Sequence, residues 1–128
     1  MRADGAAVFL GGVLGTAARL WLEAALAAAG EGAAFAAALC ANLLGSFALG
    51  FLRETRLPAR LELLRPAAGT GFCGAFTTFS AVALAVAAPL GAGPWAWLLP
   101  AAGIAAGVPL AGAGRRLARQ GPAAGGAS

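Results

Sequence analysis

The side chains able to do chemistry in this sequence are few, and apart from the arginines they sit in apolar surroundings. Asn42 is the only asparagine, and Ser46 follows four residues later, so on a helix both project from one face. Further along come Thr70, Thr77, Thr78 and Ser80, interleaved with Phe76 and Phe79. An amide, hydroxyls and the positive edges of phenyl rings are neutral donors. They can replace water around a small anion without trapping it as a fixed charge would. The same groups can also serve as hydrogen-bond glue and packing between helices, so Asn42, Phe76 and Phe79 are open to both readings at this level. Histidine, lysine and tyrosine are absent, which removes most general-base, Schiff-base and metal-ligand chemistry. The chain is read as a non-enzyme.

The run Gly69-Thr70-Gly71-Phe72-Cys73-Gly74-Ala75-Phe76-Thr77-Thr78-Phe79-Ser80 puts three glycines in six residues ahead of two β-branched threonines. That is poor helix material, and an interruption is predicted there. Broken backbone at membrane depth survives only where it is buried in protein or lines a cavity, and its freed carbonyls suit a hard cation. Arg19 is the other unusual group. It falls about 20 Å along the first apolar block, with Glu23 one turn on as a possible partner. An arginine at that depth is a functional candidate, and a vestibule or a structural role fits it equally. Cys40 and Cys73 lie inside apolar blocks, so free thiols are expected in place of a disulfide.

The elements that must carry these groups are membrane helices. Of the 128 residues 60% are hydrophobic and 11% charged, with 38 alanines, 20 glycines and a mean hydropathy of +0.81. Soluble domains carry roughly 45–50% apolar and about 25% charged residues. Four blocks reach the ~20 residues needed to cross a bilayer, at about 5–29, 33–52, 66–88 and 93–112. Only the first contains charges, Arg19 and Glu23. The expectation is an all-α membrane protein of four transmembrane helices with the third interrupted. Residues 1–114 form one domain, and 115–128 a polar, disordered tail. The first block reads as a span and not as a cleaved leader, because Asp4 cancels Arg2 and Arg19 interrupts the apolar run. Gly11 and Gly15, Ala41 and Gly45, and Gly103, Gly107 and Ala111 have the spacing that lets membrane helices approach closely. Pro94, Pro100 and Pro109 are expected to bend or weaken the last span.

The formal net charge is +4. The arginines flank apolar blocks, so their counter-charge is expected in lipid head groups and not in nucleic acid. With four spans, eight of the nine share one face: Arg2, Arg53, Arg56, Arg60, Arg65, Arg115, Arg116 and Arg119. The positive-inside rule then places both termini in the cytoplasm.

Three stretches together resemble the Fluc (CrcB) family of fluoride channels. They are Gly12-Val13-Leu14-Gly15-Thr16-Ala17-Ala18-Arg19-Leu20, Ala41-Asn42-Leu43-Leu44-Gly45-Ser46-Phe47-Ala48-Leu49-Gly50, and Gly71-Phe72-Cys73-Gly74-Ala75-Phe76-Thr77-Thr78-Phe79-Ser80. The resemblance implies a fluoride-selective channel in the cell membrane that lets fluoride leave the cytoplasm passively and so lowers its toxicity. It implies an antiparallel two-subunit assembly with two pores, and a structural sodium ion at its centre held by backbone carbonyls at Gly74 and Thr77. Asn42 would be the pore asparagine and Phe79 the first of two pore phenylalanines, with Phe76, Thr78 and Ser80 beside them in the candidate fluoride pore. The chain departs from the family pattern at Val82, where the second phenylalanine is usual, and at Ala38, often threonine. Its last span also carries no polar side chain. The one-sided arginines disfavour a homodimer inserted both ways, so the second subunit is expected to be a separately encoded paralogue of opposite orientation, with the homodimer as the alternative. Two other classes compete. A proton-coupled small multidrug exporter needs a membrane carboxylate, for which Glu23 is the sole candidate; a non-conducting subunit of a larger membrane complex needs none.

Overall fold

The computed structural model describes residues 3–30, 33–80, 83 and 95–120. Helix α1 spans Ala3–Ala27 and α2 spans Ala33–Glu54. A single 3-10 turn, Ala59–Leu61, leads to a π-helix over Pro66–Cys73, which passes into the short helix α3, Gly74–Phe76. The last element is α4, Trp95–Gln120. No strand occurs among the described residues. Two stretches, Asp4–Ala27 and Ala33–Glu54, are long and apolar enough to cross a membrane. The turn between them needs a left-handed residue and has one, Gly30 at φ 85°.

Small residues set the packing. Ala37, Ala38, Ala41, Cys73 and Phe76 are the buried apolar residues, whereas Trp21 is 72% and Val108 71% exposed. Large apolar groups outside and alanines inside suit a lipid solvent, which offers no hydrophobic drive to bury leucine and rewards close backbone approach. The glycines realise that approach. A Cβ at Gly11 would strike the Ala67 carbonyl, at Gly15 the Phe72 carbonyl and at Gly71 the Val8 carbonyl, so α1 lies backbone to backbone against the π-helix. A Cβ at Gly50 would strike the Ala111 carbonyl and at Gly114 the Phe47 carbonyl, which fixes α2 on α4 in the same way.

These contacts also give direction. Gly11 and Gly15 meet Ala67 and Phe72 in rising order, so α1 and the π-helix run parallel. Leu39, Ser46 and Gly50 meet Gly103, Gly107 and Ala111, so α2 and α4 run parallel. Gly45 meets Thr77 and Leu49 meets Gly69, so α2 runs against the segment that holds the π-helix and α3.

Two boundaries differ from the sequence expectation. The tail expected from Arg115 starts later, because α4 continues to Gln120. Arg115 Nε and Arg119 Nε donate to the Glu54 carboxylate at 3.0 and 3.1 Å, an anchor 61 and 65 residues away in sequence that holds the last turns in place. The span expected from residue 66 as an interrupted helix begins as a π-helix, where the Gly74 N–H closes on the Gly69 carbonyl five residues back and also on that of Gly71. Such wide turns are rare and tend to mark working parts of a helix. Val82, residues 84–88 of the expected third span, 93–94 of the fourth and 121–128 of the tail lie outside the described residues.

Candidate functional site

The helix breaks where the threonines begin. Thr77 is extended, with φ −83° and ψ 145°, and it ends α3. Its N–H and its Oγ1 both donate to the Cys73 carbonyl, at 3.0 and 2.9 Å, so the last turn before the break is closed twice. One residue on, the Thr78 N–H would close an α-turn on the Gly74 carbonyl if the helix continued. It donates instead to Asn42 Oδ1 at 2.7 Å, while Asn42 Nδ2 donates to the Thr78 carbonyl at 3.0 Å. A single side-chain amide on α2 therefore satisfies both backbone groups of the residue in the break. Unpaired, each would cost about 1–3 kcal/mol at a buried site. Only one orientation of the amide can make this pair, which settles which end carries oxygen. The amide has a second N–H beyond the pair, and the pair fixes its direction.

Gly45, one turn from Asn42, makes the bridge possible. A Cβ there would run into Thr77 Cγ2. Beyond the break, Thr78 Oγ1 and Ser80 Oγ are 3.0 Å apart, and Phe79 is 60% exposed.

These groups share the wall of a groove of about 1150 Å³ between α2, the π-helix and α4. Asn42, Thr78 and Phe79, expected in the pore, line it, and so do Gly74 and Thr77, expected at the sodium ion. Phe76 and Ser80 do not. Phe76 is buried and stacked on Phe72 with ring centroids 5.6 Å apart, which places it behind the break as packing in this chain, and Ser80 reaches the wall only through its contact with Thr78. Arg19 is apart from the groove: its Nη1 donates to Glu23 Oε1 at 2.9 Å, and its Nε is buried with no partner among the described residues.

Further lining residues stood outside the candidate site, although Thr70 was already among the polar side chains singled out in the sequence. Thr70 joins from the π-helix, Arg53 and Arg65 stand at the far end, and Gly103 and Gly107 of α4 contribute wall without polar side chains, close against Leu39 and Ser46. Arg53 was within reach, because Asn42, Ser46, Leu49 and Arg53 follow one helical face. The glycine wall of α4 had no such signal. The groove therefore offers positive charge at one end, hydroxyls of Ser46 and Thr70 along it, and an oriented amide and the Phe79 ring at the break. Among the described residues no group of three or more His, Cys, Asp or Glu side chains could hold a metal.

Residues 6–115 match the family model described as CrcB-like protein, Camphor Resistance (CrcB). The chain is 43% identical over 79 residues to the fluoride-specific ion channel FluC of Gloeobacter violaceus, covering 60% of this chain and 63% of that one. It is 47% identical over 79 residues to fluoride-specific ion channel FluC 1 of Mycolicibacterium paratuberculosis, covering 59% and 58%. A longer stretch, 93 residues at 40% identity, is shared with fluoride-specific ion channel FluC 1 of Mycobacterium bovis, covering 70% and 69%. The chain spans about three fifths of the length of the first two relatives. No solved structure gives a significant match.

Proposed function

The chain belongs to the CrcB-like family, and from that premise we propose that it is a subunit of a fluoride-selective channel through which fluoride leaves the cytoplasm passively. The observation that carries this reading is the Asn42 amide locked onto the backbone of Thr78 at a helix break, on the wall of a groove that Phe79 shares. Fluoride is small and strongly hydrated, so a narrow path must replace its water while binding weakly enough to release it. A prepositioned N–H costs no reorganisation when the ion arrives, and hydroxyls and a phenyl edge add donors without a fixed charge. Arg53 and Arg65 at the groove's far end raise the local anion concentration.

The sodium ion implied by the family fits the residues present. Asn42 takes the N–H that would have occupied the Gly74 carbonyl, Thr77 turns out of the helix, and a Cβ at Gly74 would meet nothing within 4 Å. Gly74 and Thr77 would hold the cation by backbone oxygens, the ligands a hard ion prefers, and bound there it would lower the cost of an anion nearby. Two oxygens are too few for such an ion. A second subunit must supply the rest, and we propose an antiparallel partner. On the positive-inside rule the one-sided arginines support a reading with both termini in the cytoplasm, and we propose on that ground a paralogue of opposite orientation over a second copy.

The exporter reading loses its only carboxylate. Glu23 is held by Arg19 at 2.9 Å and lies outside the groove, a poor place for a group that must exchange protons with a substrate. Expression in bacteria lacking their own fluoride exporter, with and without the paralogue, tests the proposal. Growth in millimolar-range fluoride should be restored by the pair, and failure of every combination to restore it would overturn the reading.

A further inference from the structure

Seven arginines and two glutamates gather at one end of the helices, between Arg53 and Arg119. The structure divides them. Glu54 takes Arg115 and Arg119, and Arg65 donates to the Thr55 carbonyl at 2.9 Å, which closes the connector into a folded loop. Arg53, Arg56, Arg60 and Arg116 have no partner among the described residues. Glu62, also exposed, is the one carboxylate left to oppose them. On the same connector Leu61, Leu63 and Leu64 are exposed at 37%, 48% and 50%. Free arginines at 56 and 60 followed by exposed leucines at 61, 63 and 64, at the point where α2 ends and the π-helix begins, have the make-up of a segment lying in the head-group layer. The apolar groups enter the acyl boundary and the cations stay among phosphates.

We infer that the connector 55–65 is an interfacial anchor that binds anionic phospholipid, with Arg56 and Arg60 as the phosphate-holding residues and Leu61, Leu63 and Leu64 as the inserted ones. Phosphate is the fitting partner because a guanidinium meets it with two parallel N–H bonds. The leucines select a lipid over a soluble phosphate, which offers them nothing. Neither Arg56 nor Arg60 lines the groove, so the inference stands independently of which ion passes through it.

The test uses the full-length protein in detergent micelles, titrated separately with phosphatidylglycerol, phosphatidylcholine and inorganic phosphate, with retained lipid read by native mass spectrometry. Phosphatidylglycerol should be retained in preference to phosphatidylcholine, and R56Q/R60Q should weaken its retention by roughly an order of magnitude while fluoride flux stays at the wild-type level. Equal retention of the two lipids, retention unchanged in R56Q/R60Q, or inorganic phosphate competing at equal concentration would overturn the inference. Should R56Q/R60Q fail to fold, the wild-type protein decides by salt dependence. Phosphatidylglycerol retention that does not fall between low and high ionic strength would contradict an arginine–phosphate anchor.

Discussion

The Asn42 amide pairs with both backbone groups of Thr78, and on the proposed function it also faces the ion; substitutions can separate the two roles. Asn42→Ala removes both hydrogen bonds that the amide makes to the backbone of Thr78, each worth about 0.5–1.5 kcal/mol, so a lower melting temperature and lost fluoride flux should appear together. Phe79→Ile touches no hydrogen bond and a largely exposed side chain. Its flux should fall tenfold or more with melting unchanged, and wild-type flux in that variant would return Phe79 to packing. Thr77→Ser keeps the hydroxyl that donates to Cys73 and should be mild, whereas Thr77→Val should loosen the turn before the break; circular dichroism melts and flux on the two variants check this. Residue type alone singled out Asn42, Thr77, Thr78 and Phe79, which the structure brings to one groove wall. The pairing of Asn42 with Thr78 was not legible, because it joins residues 36 apart and depends on a backbone donor that a continuous helix would have used internally.

At the level of the helices, glycine spacing announced close packing but not the partner of each glycine. Gly50 meets α4 and Gly15 meets the π-helix, both at backbone carbonyls that cannot move aside. Gly50→Val should therefore cost on the order of 1–3 kcal/mol or prevent assembly, read as a fall in melting temperature of the purified protein; an unchanged melt would contradict the α2–α4 contact. The break at Thr77 lay where three glycines and two β-branched residues had weakened the helix. The π-helix before it was not expected from the sequence; it lies where α1 and the glycines of this segment approach closely. The extra turns of α4 also arise from a distant residue. Glu54→Gln should leave the fold intact and let the amides of 115–120 exchange faster, measured by hydrogen exchange, because the clamp on Arg115 and Arg119 would be gone.

For the whole molecule, an all-helical fold with apolar helices was legible from composition and block length, and the family from three stretches of motif. The groove was not. Its α4 wall includes Gly103 and Gly107, packed close on Leu39 and Ser46, a feature that a search for polar residues passes over. Arginine asymmetry bears on the assembly. Reporter fusions at the C-terminus should show one orientation, cytoplasmic, in cells carrying this gene alone, and equal populations facing both sides would favour the homodimer instead. The most direct measurement of all is ion-selective electrode recording of efflux from liposomes holding the purified assembly, loaded with fluoride or chloride in turn and driven by a potassium diffusion potential. Rapid fluoride efflux, chloride efflux no faster than from empty liposomes, and no dependence on an imposed proton gradient are the results expected. Chloride leaving as fast as fluoride would contradict the proposed role of this chain.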